Sequence, residues 1–517
     1  MFIAVALATL LAAVPAQDAS RHWLEQARAA FQSQDLPTAR SAAAKALRAN
    51  PRTTEAEVIL GLIDTAEASL ASAEKHFSRA VSLEPNDYRT HAYLASTYLA
   101  QKRYADARRA FGKVLSLKPG NMAAQYNLGV IELAEHRPNA ALPHFVAVHE
   151  ADKTDVPAMV GMLNSQIAMK HDAEVARSVQ DLQRLLPSGS PEMAALGATL
   201  AASGYDGLAI PLLTTARDSN SRSFEAAYNL SLALFHVGRL ADALQAIRPW
   251  TSGDGRAEAY NLLGAIEEKQ GHFSDATRAY DTAVRLAPEN EDFRIDSAGV
   301  RATTGDFEGA AAGFAQAARD FPHAVRARLG LGAVEYLSGM YEDAARALMD
   351  AITIQPRQPV AFDLLGKTFE SVPALQGEIK RLFERYLATK PREAAPYVHY
   401  GTMLYLAAGG DGPDRYREAK RYLSEALTRE PTYAPAHFQL GVIAQTEGRL
   451  PDAAQAFERA IAVSPSYATP HYRLANVYKR LGQADRAAAE LNRFQQLKAE
   501  DNERERATLL RSVTASR

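Results

Sequence analysis

Apolar residues recur three or four positions apart through most of the chain, in short stretches that follow one plan. In residues 434–467, Leu440-Gly441 is followed by Gly448, then by Ala453, Phe457 and Ala460, and the stretch closes on Pro465. Residues 257–290 repeat the plan with Leu263-Gly264, Gly271, Ala276, Tyr280, Ala283 and Pro288. Residues 88–121 carry Leu94-Ala95, Tyr98, Ala107, Phe111, Val114 and Pro119. Spacing of this kind predicts two amphipathic helices per stretch. The glycine between them predicts the end of the first helix, in a backbone conformation that costs a side-chain-bearing residue more. The proline ends the second helix and opens the next turn. Gly441 and Ala453 are expected to face each other across the pair, with Phe457 filling the gap beside them.

The prolines set the period. Pro51, Pro85 and Pro119 stand 34 residues apart, as do Pro288, Pro322 and Pro356, and Pro431 and Pro465. A fixed period in this range signals stacked repeats, because one hairpin cannot bury its apolar face alone. The order Leu-Gly, Ala, Phe or Tyr, Ala, Pro resembles the tetratricopeptide repeat. Repeats are read from near 20, 54, 88, 122, 156, 190, 224, 257, 291, 325, 359, 394, 434 and 468, with those at 156, 190 and 359 departing furthest from the pattern. Trp23 stands where the family favours that residue. The resemblance implies an all-α, right-handed superhelical solenoid of about fourteen helix–turn–helix repeats, with the first helix of each lining a concave groove.

The period breaks at three places. Pro187-Ser188-Gly189-Ser190-Pro191 and Thr251-Ser252-Gly253-Asp254-Gly255 read as turns where the array bends. Gly409-Gly410-Asp411-Gly412-Pro413-Asp414 lengthens one turn and lacks the glutamate a calcium loop needs. The expected division is a signal peptide over 1–16, an N-terminal array over 20–255, a C-terminal array over 256–499 and a polar capping helix or tail over 500–517, in which Leu509 and Leu510 lie against the last repeat.

Composition narrows the function classes. The 58 basic and 60 acidic residues nearly cancel, and no long block of one sign occurs, which argues against nucleic acid as the main partner. The absence of cysteine excludes disulfides, thiolate metal sites and cysteine nucleophiles. Residues 1–16, MFIAVALATLLAAVPA, are uncharged, too short to span a bilayer comfortably, and end in the small Val14-Pro15-Ala16. They read as an export signal cleaved before Gln17, although no Lys or Arg precedes the apolar run. The protein is therefore expected in the periplasm or outside the cell, or in the cytoplasm if this segment is instead a short buried helix.

Motifs that carry chemistry are missing. No phosphate loop, zinc helix or nucleophile elbow is present. Gly330-Leu331-Gly332 lacks the third glycine of a dinucleotide loop, and Gly332 reads as a packing residue. His91, His437 and His471 all fall at the fourth repeat position, which points to packing between neighbours, with no third ligand for a metal. No catalytic residue, cofactor or metal is expected.

Functional expectations rest on the groove. The resemblance places groove-facing residues near repeat positions 2, 5, 9 and 12. Position 5 gives Tyr126, Tyr228, Phe438 and Tyr472; position 12 gives Phe235, Tyr336, Tyr405 and Lys479; position 9 gives Asn164 and Asn476. Aromatic side chains supply contact area at low entropic cost, and amides pair with peptide backbone. Tyr405, Phe438, Tyr472, Asn476 and Lys479 are the expected C-terminal patch for an extended or helical peptide, unless these rings pack within a tightly wound superhelix. The function these features imply is a protein-interaction scaffold in a periplasmic or envelope complex. A substrate-presenting or regulatory subunit of a separate enzyme, such as a transferase or secretion machine, is the alternative.

Overall fold

A computed structural model describes residues 16–252, 255–408, 414 and 416–514. Among the described residues there are 28 α-helices, three short 3-10 turns and no strand. The helices fall into fourteen consecutive pairs whose first helices begin within a few residues of the expected repeat starts, from Ala16–Gln32 with Leu36–Ala49 to Ala468–Arg480 with Ala484–Thr514. The irregular repeats are pairs as well, among them Val156–Met169 with Asp172–Leu185 and Pro359–Thr368 with Gln376–Ala388. Residues 1–15 of the expected signal segment and the loop at 409–413 lie outside the described residues, as do 253 and 254.

Packing divides the chain into two compact units, one through Asn229 and the other from Leu230 onward. This division falls inside the helix Phe224–His236, whereas the composition break is at 251–255. In the first unit, helices Asp172–Leu185 and Pro191–Ala202 flank the junction at 187–191. There Gly189 adopts φ +73°, and Ser190 caps the next helix by accepting a hydrogen bond from Met193 N at 3.2 Å.

The core of each unit is built from an aromatic or branched side chain of the second helix wedged against small residues of first helices. A Cβ at Gly129 would lie 2.7 Å from Phe145 Cζ, and one at Gly161, on the next repeat, 2.5 Å from the same ring. Phe145 is 1% exposed. Phe77 excludes a Cβ at Gly61 in the same way, Phe314 at Gly330, Tyr280 at Gly264 and Phe457 at Gly441. Gly332 has the packing role expected of it, against Leu348.

The turn inside twelve of the pairs passes through one left-handed residue, and these residues keep the period: Gln34, Ala68, Lys102, His136 and Lys170, then Gly204, Gly238, Gly271, Gly305, Gly339, Gly448 and Gly482. Each closes a helix end. Arg103 N donates to Tyr98 O at 2.9 Å and Lys102 N to Leu99 O at 2.9 Å, which satisfies carbonyls the helix leaves open. The first five repeats thus adopt a glycine conformation without glycine. In the repeat at 359 the corresponding residue is Pro373, whose ring fixes φ near −65°. The turn there runs instead through two 3-10 segments, Phe369–Ser371 and Pro373–Leu375.

The fourth-position side chains have a defined task. His91 Nε2 donates to Pro85 O at 2.9 Å, His437 Nε2 to Pro431 O at 3.1 Å and His471 Nε2 to Pro465 O at 3.3 Å. Arg294 Nε does the same to Pro288 O at 2.8 Å. Each ties a first helix to the carbonyl of the proline that ends the preceding repeat.

The left-handed positions make a prediction. Ala68 is exposed, and a Cβ at Gly271 would meet open space, so neither substitution changes packing. Ala68→Gly is expected to stabilise its unit by about 0.5–1 kcal/mol, and Gly271→Ala to destabilise its own by about 1 kcal/mol. Denaturant midpoints measured by circular dichroism check both, and shifts of the same sign for the two variants contradict this reading.

Candidate functional site

The first helices carry the candidate surface, and the two units differ in how open it is. In the first unit the first helices of the opening three repeats, Ala16–Gln32, Thr54–Ala66 and Tyr88–Ala100, enclose a cavity of about 650 Å³. Phe31, Val58, Ile59, Leu62 and Tyr93 form its apolar wall. Arg28, Glu55, Asp87 and Arg89 are among its polar lining residues. The charges are matched locally: Arg28 Nη2 lies 2.7 Å from Glu55 Oε1, and Arg89 grips Asp87 through Nη2 at 2.8 Å and Nε at 3.0 Å. The Arg89 guanidinium, assisted by its own backbone N–H, holds the Asp87 carboxyl below the usual range. Arg28, Phe31, Glu55, Val58, Leu62 and Arg89 all occupy the groove positions 2, 5, 9 and 12. No aromatic stands at position 5 of these repeats, so an aromatic search at that position passes over this site.

Tyr126 and Tyr228, also in the first unit, are half-buried. The Tyr126 ring meets the Phe145 ring edge-on at 5.6 Å, and Tyr228 lies 5.6 Å from Phe224. Asn164 is half-buried on the helix Val156–Met169.

In the second unit the expected C-terminal patch separates into core and surface. Phe438 is only 7% exposed and sits between Phe457 at 5.7 Å and Tyr467 at 5.6 Å, so it belongs to the core and is withdrawn from the peptide surface. Tyr405 is half-buried against the same cluster, with its hydroxyl 2.9 Å from Thr446 Oγ1. Tyr472 stays 45% exposed, although its ring lies 5.2 Å from Phe494 of the last helix. Lys479 is exposed and Asn476 half-buried on the same first helix. Elsewhere in this unit Lys269 Nζ stands 4.4 Å above the Phe235 ring, and Tyr336 meets Tyr341 edge-on at 5.6 Å.

The end of the chain departs from the expected cap. Ala484–Thr514 is one helix of 31 residues, and besides the last repeat it packs against the first helices Glu291–Thr304 and Val325–Leu337. The expected contact of Leu509 and Leu510 with the last repeat concerns side chains that lie outside the described residues.

Several buried charges are paired. In the first unit His76 Nδ1 lies 2.7 Å from Glu57 Oε2, and Arg40 Nη2 lies 2.7 Å from Asp64 Oδ1, which joins the first two repeats. In the second unit burial pushes the Asp363 carboxyl up, but His399 at 2.9 Å and then Lys367 outweigh it and hold the group at about 2. Among the described residues no group of His, Asp and Glu is arranged to hold a metal ion, and no helix is long and apolar enough to cross a membrane.

Tandem hairpins, a buried ring against a small residue, a left-handed turn and a groove of first helices define a helical-repeat protein. Models of the tetratricopeptide repeat match residues 24–88, 207–257 and 297–359, 64–128, 257–290 and 468–501, and a TPR repeat model matches 446–482. Together they cover more than half of the sequence, and the chain belongs to the tetratricopeptide repeat family. No curated protein matches it. Solved structures to which it is similar include yeast Tom70, 14% identical over 89% of this chain and 98% of that one, with a TM-score of 0.35. Pseudomonas aeruginosa pilF is 17% identical over 41% of this chain and 96% of that one, with a TM-score of 0.34. A tetratricopeptide repeat protein from Parabacteroides merdae is 16% identical over 52% of this chain and 93% of that one, with a TM-score of 0.32. Such repeats mediate protein–protein interactions and are typically non-catalytic scaffolds.

One buried acid gives the second unit a pH dependence. Glu335 Oε2 is buried without a hydrogen-bond partner. Burial, and next the Asp343 carboxylate, raise its pKa from 4.5 to about 7. A raised acid favours the fold while protonated, so its contribution is full below about 4.5 and is lost as pH rises through about 7. Glu335→Gln is expected to flatten the fall in denaturant midpoint across that window. A variant whose midpoint follows the wild-type pH profile rules out this assignment.

Proposed function

We propose that the protein is a scaffold that holds a peptide segment of a partner protein in the groove of its first unit, and that it works outside the cytoplasm, in a complex of the periplasm or cell envelope. The cavity across the first three repeats carries the reading. Its apolar wall takes side chains, and the paired charges beside it offer hydrogen-bonding groups to a backbone or to a polar side chain. Matched rim charges favour specificity of pose over nonspecific attraction. The placement outside the cytoplasm is supported by the uncharged apolar run and small residues at 1–16.

Peptides selected on the intact protein from a displayed random library test the groove. Val58→Glu combined with Leu62→Glu removes two apolar contacts worth about 1.5 kcal/mol or more each. Binding is expected to weaken by more than about tenfold. Peptides that bind wild type and variant equally place recognition elsewhere.

Terminal sequencing of the protein from its native source tests the location. A chain beginning at Gln17 and found outside the cytoplasm is expected, and a chain in the cytoplasm that retains residues 1–16 overturns the proposal.

A further inference from the structure

The last helix is built for more than closing the array. The other second helices of the second unit run 8 to 14 residues, and this one runs 31, about 46 Å. Its first turns finish the last repeat, with Leu497 at 4% exposure and His471 Nδ1 2.6 Å from Glu490 Oε2. The helix also packs on Glu291–Thr304 and Val325–Leu337, two first helices several of whose groove positions are buried. Ile295 is 1% exposed, Ala302 and Ala333 are 0%, and Gly299 is buried. The matching positions 5 and 9 of the first unit, such as Val58, Leu62, Val130 and Val160, are only partly covered. Gly299, Ala302 and Ala333 carry little or no side chain, which leaves room for a helix backbone to come close. After the charged run 500–506, the sequence of the helix returns to apolar residues at Leu509, Leu510 and Val513.

We propose that the groove of the repeats at 291 and 325 is a helix-binding site whose resident ligand is the chain's own segment 498–514, so that an external helix of this amphipathic, mixed-charge class enters only by displacing it. The site is separate from the groove of the first unit and does not rest on the function proposed for that groove. A tethered ligand acts at an effective concentration on the order of millimolar, which suppresses competitors without any new contact.

The probe is a fluorescein-labelled synthetic peptide of residues 495–514, followed by fluorescence anisotropy. It is added to the full chain, to a chain ending after Leu497, and to a full chain carrying Leu509→Asp and Leu510→Asp. The peptide is expected to bind the shortened chain and the double variant at least about tenfold more tightly than the unmodified chain. Ala333→Glu in the double variant is expected to abolish that gain. The double variant leaves the packed repeats intact, so it decides the matter if the shortened chain fails to fold. Equal binding by the unmodified chain and the double variant, no binding to the double variant, or binding that survives Ala333→Glu overturns the proposal.

Discussion

The structure depends on one contact repeated along the chain: a ring of the second helix that occupies the space a Cβ would take on a first helix. At Phe145 the constraint acts twice, because the same ring lies against Gly129 of its own repeat and Gly161 of the next. Pairing within a hairpin and stacking between hairpins are therefore one interaction. That is why a hairpin that could not bury its face alone becomes stable in a stack. It also sets the spacing of first helices, whose other faces line the groove. Where leucine replaces the ring, the small partner is still glycine: Leu213 stands against Gly197 and Leu348 against Gly332.

Turns are held by backbone chemistry that is less selective. The left-handed residue recurs at Gln34, Ala68, Lys102, His136 and Lys170 although glycine fits it better. The pattern of helix-end hydrogen bonds is the same at either kind of residue, as at Lys102 and Gly271. Packing on both sides fixes where the chain must reverse, and the residue there accepts the conformation at a cost of about 1–2 kcal/mol. Pro373 marks the limit, because its ring cannot reach a positive φ and the turn is rebuilt.

This contrast explains what was legible in the sequence. Prolines, rings and small residues recur because they meet the same neighbours in each repeat, and so the repeat starts could be read even at 156, outside the residues matched by the family models, and at 359, where a match ends. The course of the helix beyond Leu497 could not be read. It meets helices near 291 and 325, far away in sequence, and a single nonlocal contact leaves no period. The groove was legible as a set of positions but not as an open stretch. Position 5 holds Val58, half-buried beside a cavity, and also Phe438, sealed by Phe457 and Tyr467. What separates them is how far neighbouring rings lean over the first helix, which depends on packing rather than on residue type.

Each unit thus treats the same surface differently. In the first, Phe31, Val58 and Leu62 keep part of their area open, and apolar area left in contact with solvent costs roughly 25 cal/mol per Å² until something covers it. In the second, Ile295, Ala302 and Ala333 are already covered within the chain. The side chains match these states. The open stretch carries large apolar groups beside paired charges, suited to an incoming side chain. The covered stretch carries glycine and alanine, suited to the close approach of a whole helix. At position 9, Leu62 lines the open cavity of the first unit, whereas Gly299 and Ala333 are buried in the second.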